Sequence, residues 1–147
     1  MKSAGFMATT LRSGLPDSVG DGEDLARFLT SSGHFNASAV KATAFMPDPK
    51  NGETSVYRHG KDPLEDLLAL ARQEIGTDRK VHGAAIVKAS FVTAVDLKVK
   101  ASEPPLRHAD IVQWPWQLDD PEMGKAERMD RAKVIARHAE KVLFPTQ

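Results

Sequence analysis

Two stretches of this chain open on Asp-Pro and then carry apolar residues at helical spacing, and they constrain the fold more than any other feature. An aspartate can accept from the free N–H groups of a first helical turn. A proline just after it loses nothing, because its missing N–H is not needed there. At Asp62-Pro63 the pattern predicts a helix over 63–75, PLEDLLALARQEI, with Glu65 and Asp62 as a capping-box-like pair. Leu64, Leu67, Leu68, Ala71 and Ile75 give it one buried face, and Gly76 ends it. At Asp120-Pro121 it predicts a helix over 121–143, with Ala126, Met129, Ala132, Ile135, Ala136, Ala139, Val142 and Leu143 along one side. The basic residues of that segment, from Lys125 to Lys141, are mixed with acids and read as a solvated face.

Other segments carry a shorter period. Residues 39–47 (AVKATAFMP) and 54–58 (TSVYR) read as strands joined through Asn51-Gly52, a β-hairpin with Pro47 and Pro49 in or beside its turn. In 84–101, Val87, Ala89, Phe91, Thr93, Val95, Leu97 and Val99 alternate as in a strand, yet AAIVKASF equally suits a short helix feeding a strand over 95–101. Asp21 reads as the cap of a further helix with Leu25, Phe28 and Leu29 on one stripe and Gly33 as its stop. The expectation is an α+β domain over 21–147: a small, mostly antiparallel sheet made of the 39–58 hairpin and one further strand. Helices 63–75 and 121–143 would cover one face of it. Residues 1–20 hold few large apolar groups and read as a poorly ordered arm, with Met7 an alternative start.

A chain of 147 residues suits one domain. Lysine plus arginine number 20 and aspartate plus glutamate 20, so the net charge is zero, which excludes a polycation held to nucleic acid by bulk charge. No cysteine is present, so disulfides, cysteine-ligated metals and thiol nucleophiles are excluded. No run approaches the roughly 20 apolar residues of a membrane span or the core of a signal peptide, and a soluble cytoplasmic protein with no membrane partner is expected. His34, His59, His82, His108 and His138 show no metal-ligand spacing, and neither GxGxxG nor a Walker A motif occurs. No metal and no cofactor are expected. Ser55 lies near His59 in its own segment, and no G-x-S-x-G elbow surrounds it.

Chemistry concentrates in 102–119, SEPPLRHADIVQWPWQLD, which reads as a proline-stiffened strap too long for an ordinary connection. It carries Arg107, His108 and Asp110, while Arg58 and His59 end the 54–58 strand. If the strap crosses that strand end, two guanidiniums and two imidazoles would converge. Arginine forks grip phosphate or carboxylate, histidine moves protons near neutral pH, and Asp110 would orient one of the rings. The other reading is structural: the arginines pair with acids and His108 with the strap's own carbonyls. Trp114 and Trp116 likewise carry two readings, as pins holding the strap on the core or as anchors for a protein partner.

The run ETSVYR at 53–58, with EPPLRHADI at 103–111 and Trp114-Pro115, resembles an uncharacterised family of small bacterial proteins over about residues 24–143. That family has no established activity, so the resemblance implies only that Arg58, Arg107 and His108 belong together. The leading functional expectation is a non-enzymatic interaction module or adaptor, a subunit of a bacterial multi-protein or mobile-element (defence-type) system. It would bind a protein partner or form a homodimer through the apolar side of the last helix. The alternative is a phosphate-, nucleotide- or nucleic-acid-binding protein, or an enzyme, built on Arg58, His59, Arg107, His108 and Asp110.

Overall fold

The computed structural model describes residues 15, 16, 18–58, 64–76, 79–103, 107–116 and 119–145. Six strands form its centre: β1 (Asp24–Leu29), β2 (Thr54–Arg58), β3 (Gly83–Lys88), β4 (Lys98–Ala101), β5 (His108–Val112) and β6 (Glu140–Leu143). They make one sheet in the order β4-β5-β2-β1-β3-β6, every neighbouring pair antiparallel. Among the described residues three α-helices accompany it: α1 (Leu64–Glu74), the single-turn α2 (Ala89–Thr93) and the long α3 (Pro121–His138).

Strand alternation sorts the apolar residues onto two faces. On one, Leu25, Leu29, Val56, Ala85, Val87, Val99, Ala109 and Ile111 pack with Ala132, Ile135 and Ala136 of α3 and with Ala89 and Val92 of α2. On the other, Ala26, Phe28, Tyr57 and Ala84 pack with Leu67, Leu70 and Ala71 of α1. The α+β class stands, but the sheet is twice the size a hairpin and one strand would make. Helices α1 and α3 lie on opposite faces of it, not on one.

The largest difference from the sequence reading is at 21–33, where a strand replaces the expected helix. β1 pairs along its whole length with β3, from Asp24 opposite Lys88 to Leu29 opposite Gly83. A central strand covered on both faces buries neighbouring residues, here Leu25-Ala26 and Phe28-Leu29. That spacing imitates a helical stripe. Nor is 39–47 a strand. Val40 makes a lone bridge to Phe35, and Ala42–Ala44 form a 3-10 turn. The turn chemistry beyond it does form: Gly52, at φ +72, donates its N–H to Asp48 O (2.7 Å), and Asp48 bridges Glu53. β2 thus has the expected turn but different neighbours, β1 and β5.

Both readings of 84–101 hold in part, since β3 runs into α2 before Asp96, at φ +62, turns the chain into β4. The strap is not irregular throughout, because β5 lies inside it. Helix α1 turns Leu67, Leu70 and Ala71 inward and leaves Leu64 44% exposed, a rotation of the expected face. Helix α3 starts as expected, with Asp120 Oδ1 accepting from Met123 N (3.1 Å), but it stops at His138. Ala139 is extended, and Glu140–Leu143 leave the helix to pair with β3. Gly83 makes that pairing close: a Cβ there would collide with the Val142 carbonyl and lie 2.9 Å from Leu143 Cα.

Residues 18–20, placed by composition in the arm, meet the domain: Val19 packs against the core, and the Ser18 carbonyl accepts from Arg58. Among the described residues, no helix is long and apolar enough to cross a membrane.

Candidate functional site

Arg58 is engaged inside the protein. Its side chain is 1% exposed on the α3 side of the sheet. Nε donates to Glu23 Oε1 and Nη2 to Glu23 Oε2, both at 2.8 Å, a two-pronged ion pair. Nη1 donates to Pro16 O (2.7 Å) and Nη2 also to Ser18 O (3.3 Å), so the guanidinium ties the segment before β1 to the sheet. The Arg58 hydrogen bond is the main cause holding the Glu23 carboxyl below its ordinary value of 4.5; partial burial opposes it, and the Gly20 N–H and the Arg58 charge assist. His59 lies outside the described residues. Arg107 is 9% exposed, and its backbone O accepts from Arg58 N (2.8 Å) while its own N donates to Glu103 Oε2 (2.7 Å). Arg58 and Arg107 therefore meet through the backbone. His108 belongs to the opposite face from Arg58.

The polar group that does assemble is built by three strands. β2 sets Ser55 opposite Asp110 and Tyr57 opposite His108, and β4 sets Lys100 opposite Asp110. Alternation places all of them, with Lys98, on the face that carries α1. That helix covers Tyr57 and the strands beyond it, leaving the β4–β5 half open: Lys98 and Lys100 are exposed, Ser55, Ser102, His108 and Asp110 half-buried.

Side chains there form one hydrogen-bonded chain. Ser102 Oγ donates to Asp110 Oδ2 (2.9 Å) and lies 2.7 Å from His108 Nδ1. His108 Nε2 is 2.5 Å from Ser55 Oγ and 3.6 Å from Asp110 Oδ1. The carboxylate sets the direction. A hydroxyl has one proton, and Ser102 gives it to Asp110, so Ser102 meets Nδ1 as an acceptor. In the neutral imidazole Nδ1 then carries the ring proton, and Nε2 offers its lone pair to the Ser55 O–H. The Tyr57 ring meets His108 edge-on at 5.3 Å and closes one side of the imidazole.

Of the proposed site residues, His108 and Asp110 come together, Arg58 does not join them, and Ser55 and Ser102 complete the group. The i, i+2 spacing of His108 and Asp110 was a visible signal once 108–112 is read as a strand. Nothing in the sequence put Ser55 beside them, because strand pairing brings it from more than 50 positions away.

The two tryptophans divide their roles. Trp114 is 4% exposed within the α3-side core, and its Nε1 donates to Ile111 O (3.1 Å). Trp116 is 45% exposed, with the Arg128 guanidinium carbon 3.8 Å above its ring. Arg128 Nη1 also donates to Pro115 O (2.9 Å), and a Cβ at Gly52 would stand 3.3 Å from Trp116 Nε1. No protein family, curated protein or solved structure gives a significant match to this chain.

Proposed function

We propose that this protein is an interaction module, a small subunit or adaptor of a bacterial multi-protein or mobile-element system, whose protein partner docks on the surface around Trp116 and Arg128. The observation that carries the reading is an indole nearly half exposed yet held in place, by Arg128 stacked on it and by the Gly52 backbone beside it. A ring already fixed in the free protein loses little entropy on binding, and tryptophan and arginine dominate interface energetics. The homodimer version loses its expected surface, since the apolar side of α3 is spent on the protein's own core. The phosphate version draws no support from Arg58, whose guanidinium is engaged by Glu23.

Co-expression with the products of neighbouring genes, followed by size-exclusion chromatography with light scattering, tests the reading. A defined complex is expected, with Trp116→Ala weakening it at least about 30-fold, the scale of an interface hot spot. A monomer that joins none of these products, or a complex indifferent to Trp116→Ala, refutes it.

A further inference from the structure

We propose that Ser55 is a nucleophilic hydroxyl with His108 as its general base, in a site that accepts carboxylic esters bearing a negative charge. The proposal stands apart from the docking surface, which lies around Trp116 rather than on this sheet face.

Three observations support it. The proton order along Asp110, Ser102, His108 and Ser55 leaves the Nε2 lone pair on the Ser55 O–H, the arrangement an activated serine requires. The backbone is held against strain at both ends of β5: Arg107 at φ +61 and Gln113 at φ +69 bracket the strand that carries His108 and Asp110. Non-glycine residues in the left-handed region cost of order 1 kcal/mol or more and gather where geometry serves a site. Finally, Ser55 is fixed through its own carbonyl, which accepts from the Arg27 Nη1–H at 2.9 Å. The group is half-buried rather than sealed, and the exposed Lys98 and Lys100 on the same face favour an anionic ester.

The chemistry balances within the site. Ser55 Oγ bonds to the acyl carbon as its proton passes to His108 Nε2, and the carbonyl electron pair moves onto oxygen. The imidazolium so formed faces Asp110 Oδ1 at 3.6 Å. Collapse of the tetrahedral intermediate breaks the bond to the alcohol, which leaves with the Nε2 proton. Water, deprotonated in turn by Nε2, then attacks the acyl group on Ser55, and the acid departs. Net, one ester and one water become one acid and one alcohol. Ser102 and Asp110 are positioning residues.

A fluorophosphonate probe with intact-mass analysis and peptide mapping tests the nucleophile, and p-nitrophenyl acetate against mono-p-nitrophenyl succinate tests the charge preference. The wild type is expected to gain one phosphonyl group on Ser55, and Ser55→Ala none. His108→Gln slows labelling at least about 100-fold, the lower end of general-base effects. Ser102→Ala also slows it, and Ser102→Thr, which keeps the hydroxyl, restores it. Lys100→Ala lowers the ratio of succinate-ester to acetate-ester turnover. The nucleophile assignment falls if wild-type Ser55 stays unlabelled under conditions that saturate a serine esterase. It also falls if His108→Gln, folded by circular dichroism, labels at the wild-type rate. Should His108→Gln not fold, the Ser102 pair decides: equal labelling of Ala and Thr variants overturns the relay. Equal turnover of both esters overturns the anionic specificity.

Discussion

Replacing Glu23 by glutamine leaves a guanidinium almost wholly shut off from water facing an amide instead of a carboxylate. In the native protein Glu23 takes two 2.8 Å hydrogen bonds from Arg58 and a third of the same length from Gly20 N. Glutamine keeps one acceptor oxygen and turns an NH2 toward a donor. Breaking one partner of a buried pair costs about 3–5 kcal/mol, because the remaining charge stays buried. Arg58 is 1% exposed but the Glu23 side chain 23%, so water reaches the carboxylate side, and the carbonyls of Pro16 and Ser18 still accept. The lower end, about 3 kcal/mol, is therefore expected, a large share of the roughly 5–15 kcal/mol that holds a domain folded. Urea unfolding followed by circular dichroism measures it. The double variant Glu23→Gln/Arg58→Met removes the charge as well and should regain most of the loss, since an apolar side chain of similar length suits the site. A cost for Glu23→Gln below about 1 kcal/mol, or a double variant no better than the single, refutes the argument. The pH dependence has a definite sign. Glu23 titrates lower in the folded protein than its ordinary 4.5, so the unfolded chain binds more protons just below that value. The pair's contribution is full above pH 4.5 and is lost as pH falls through the lower folded value; Glu23→Gln flattens that loss.

Tyr57 is the chain's one tyrosine, so absorbance near 295 nm follows it alone as pH rises. Its phenol is pushed up to about 12, first by burial, then by the negative charge of Glu74 and to a lesser degree Asp110, with Arg27 opposing. A midpoint near 10 in the folded protein would contradict its place under α1. Because the folded value is the higher, stability is full below pH 10 and declines from there toward pH 12. Gly83→Ala sets a methyl against the β6 backbone, which has no flexible end to yield. Thermal unfolding should show a loss of about 1–3 kcal/mol, and hydrogen exchange should show β6 amides opening first; unchanged protection of β6 would refute the close approach.

Much of the fold was legible where a local signal is also the final cause. The Asp120-Pro121 helix start, the Asn51-Gly52 turn and the strand over 54–58 all rest on short-range chemistry, and each is found where it was expected, while Asp62 and Pro63 lie outside the described residues. The alternating stretch 84–101 was legible as far as its ambiguity, which the chain resolves by using strand, helix and strand in turn. The failures share one cause, that burial on two faces erases the period. β1 is packed on both sides and looks helical. Val142 and Leu143 continue the apolar side of α3 but serve the edge of the sheet. Among site residues, His108 and Asp110 were picked out by residue type, and of the two readings of Arg58 it is the pairing with an acid, Glu23, that the structure contains.

The sequence by itself determined the class, the start of the last helix, the main turn and the absence of thiol chemistry. Each of these depends on residues within a few positions of one another, or on composition. Only the tertiary structure decided the strand order, and with it everything that lies across strands. It moved Arg58 to a buried ion pair on one face and assembled Ser55, Ser102, His108 and Asp110 on the other. It also buried Trp114 while leaving Trp116 in the open. The physical reason is that pairing register fixes which face a side chain takes, and a register is chosen by the summed burial of both faces rather than by any one segment.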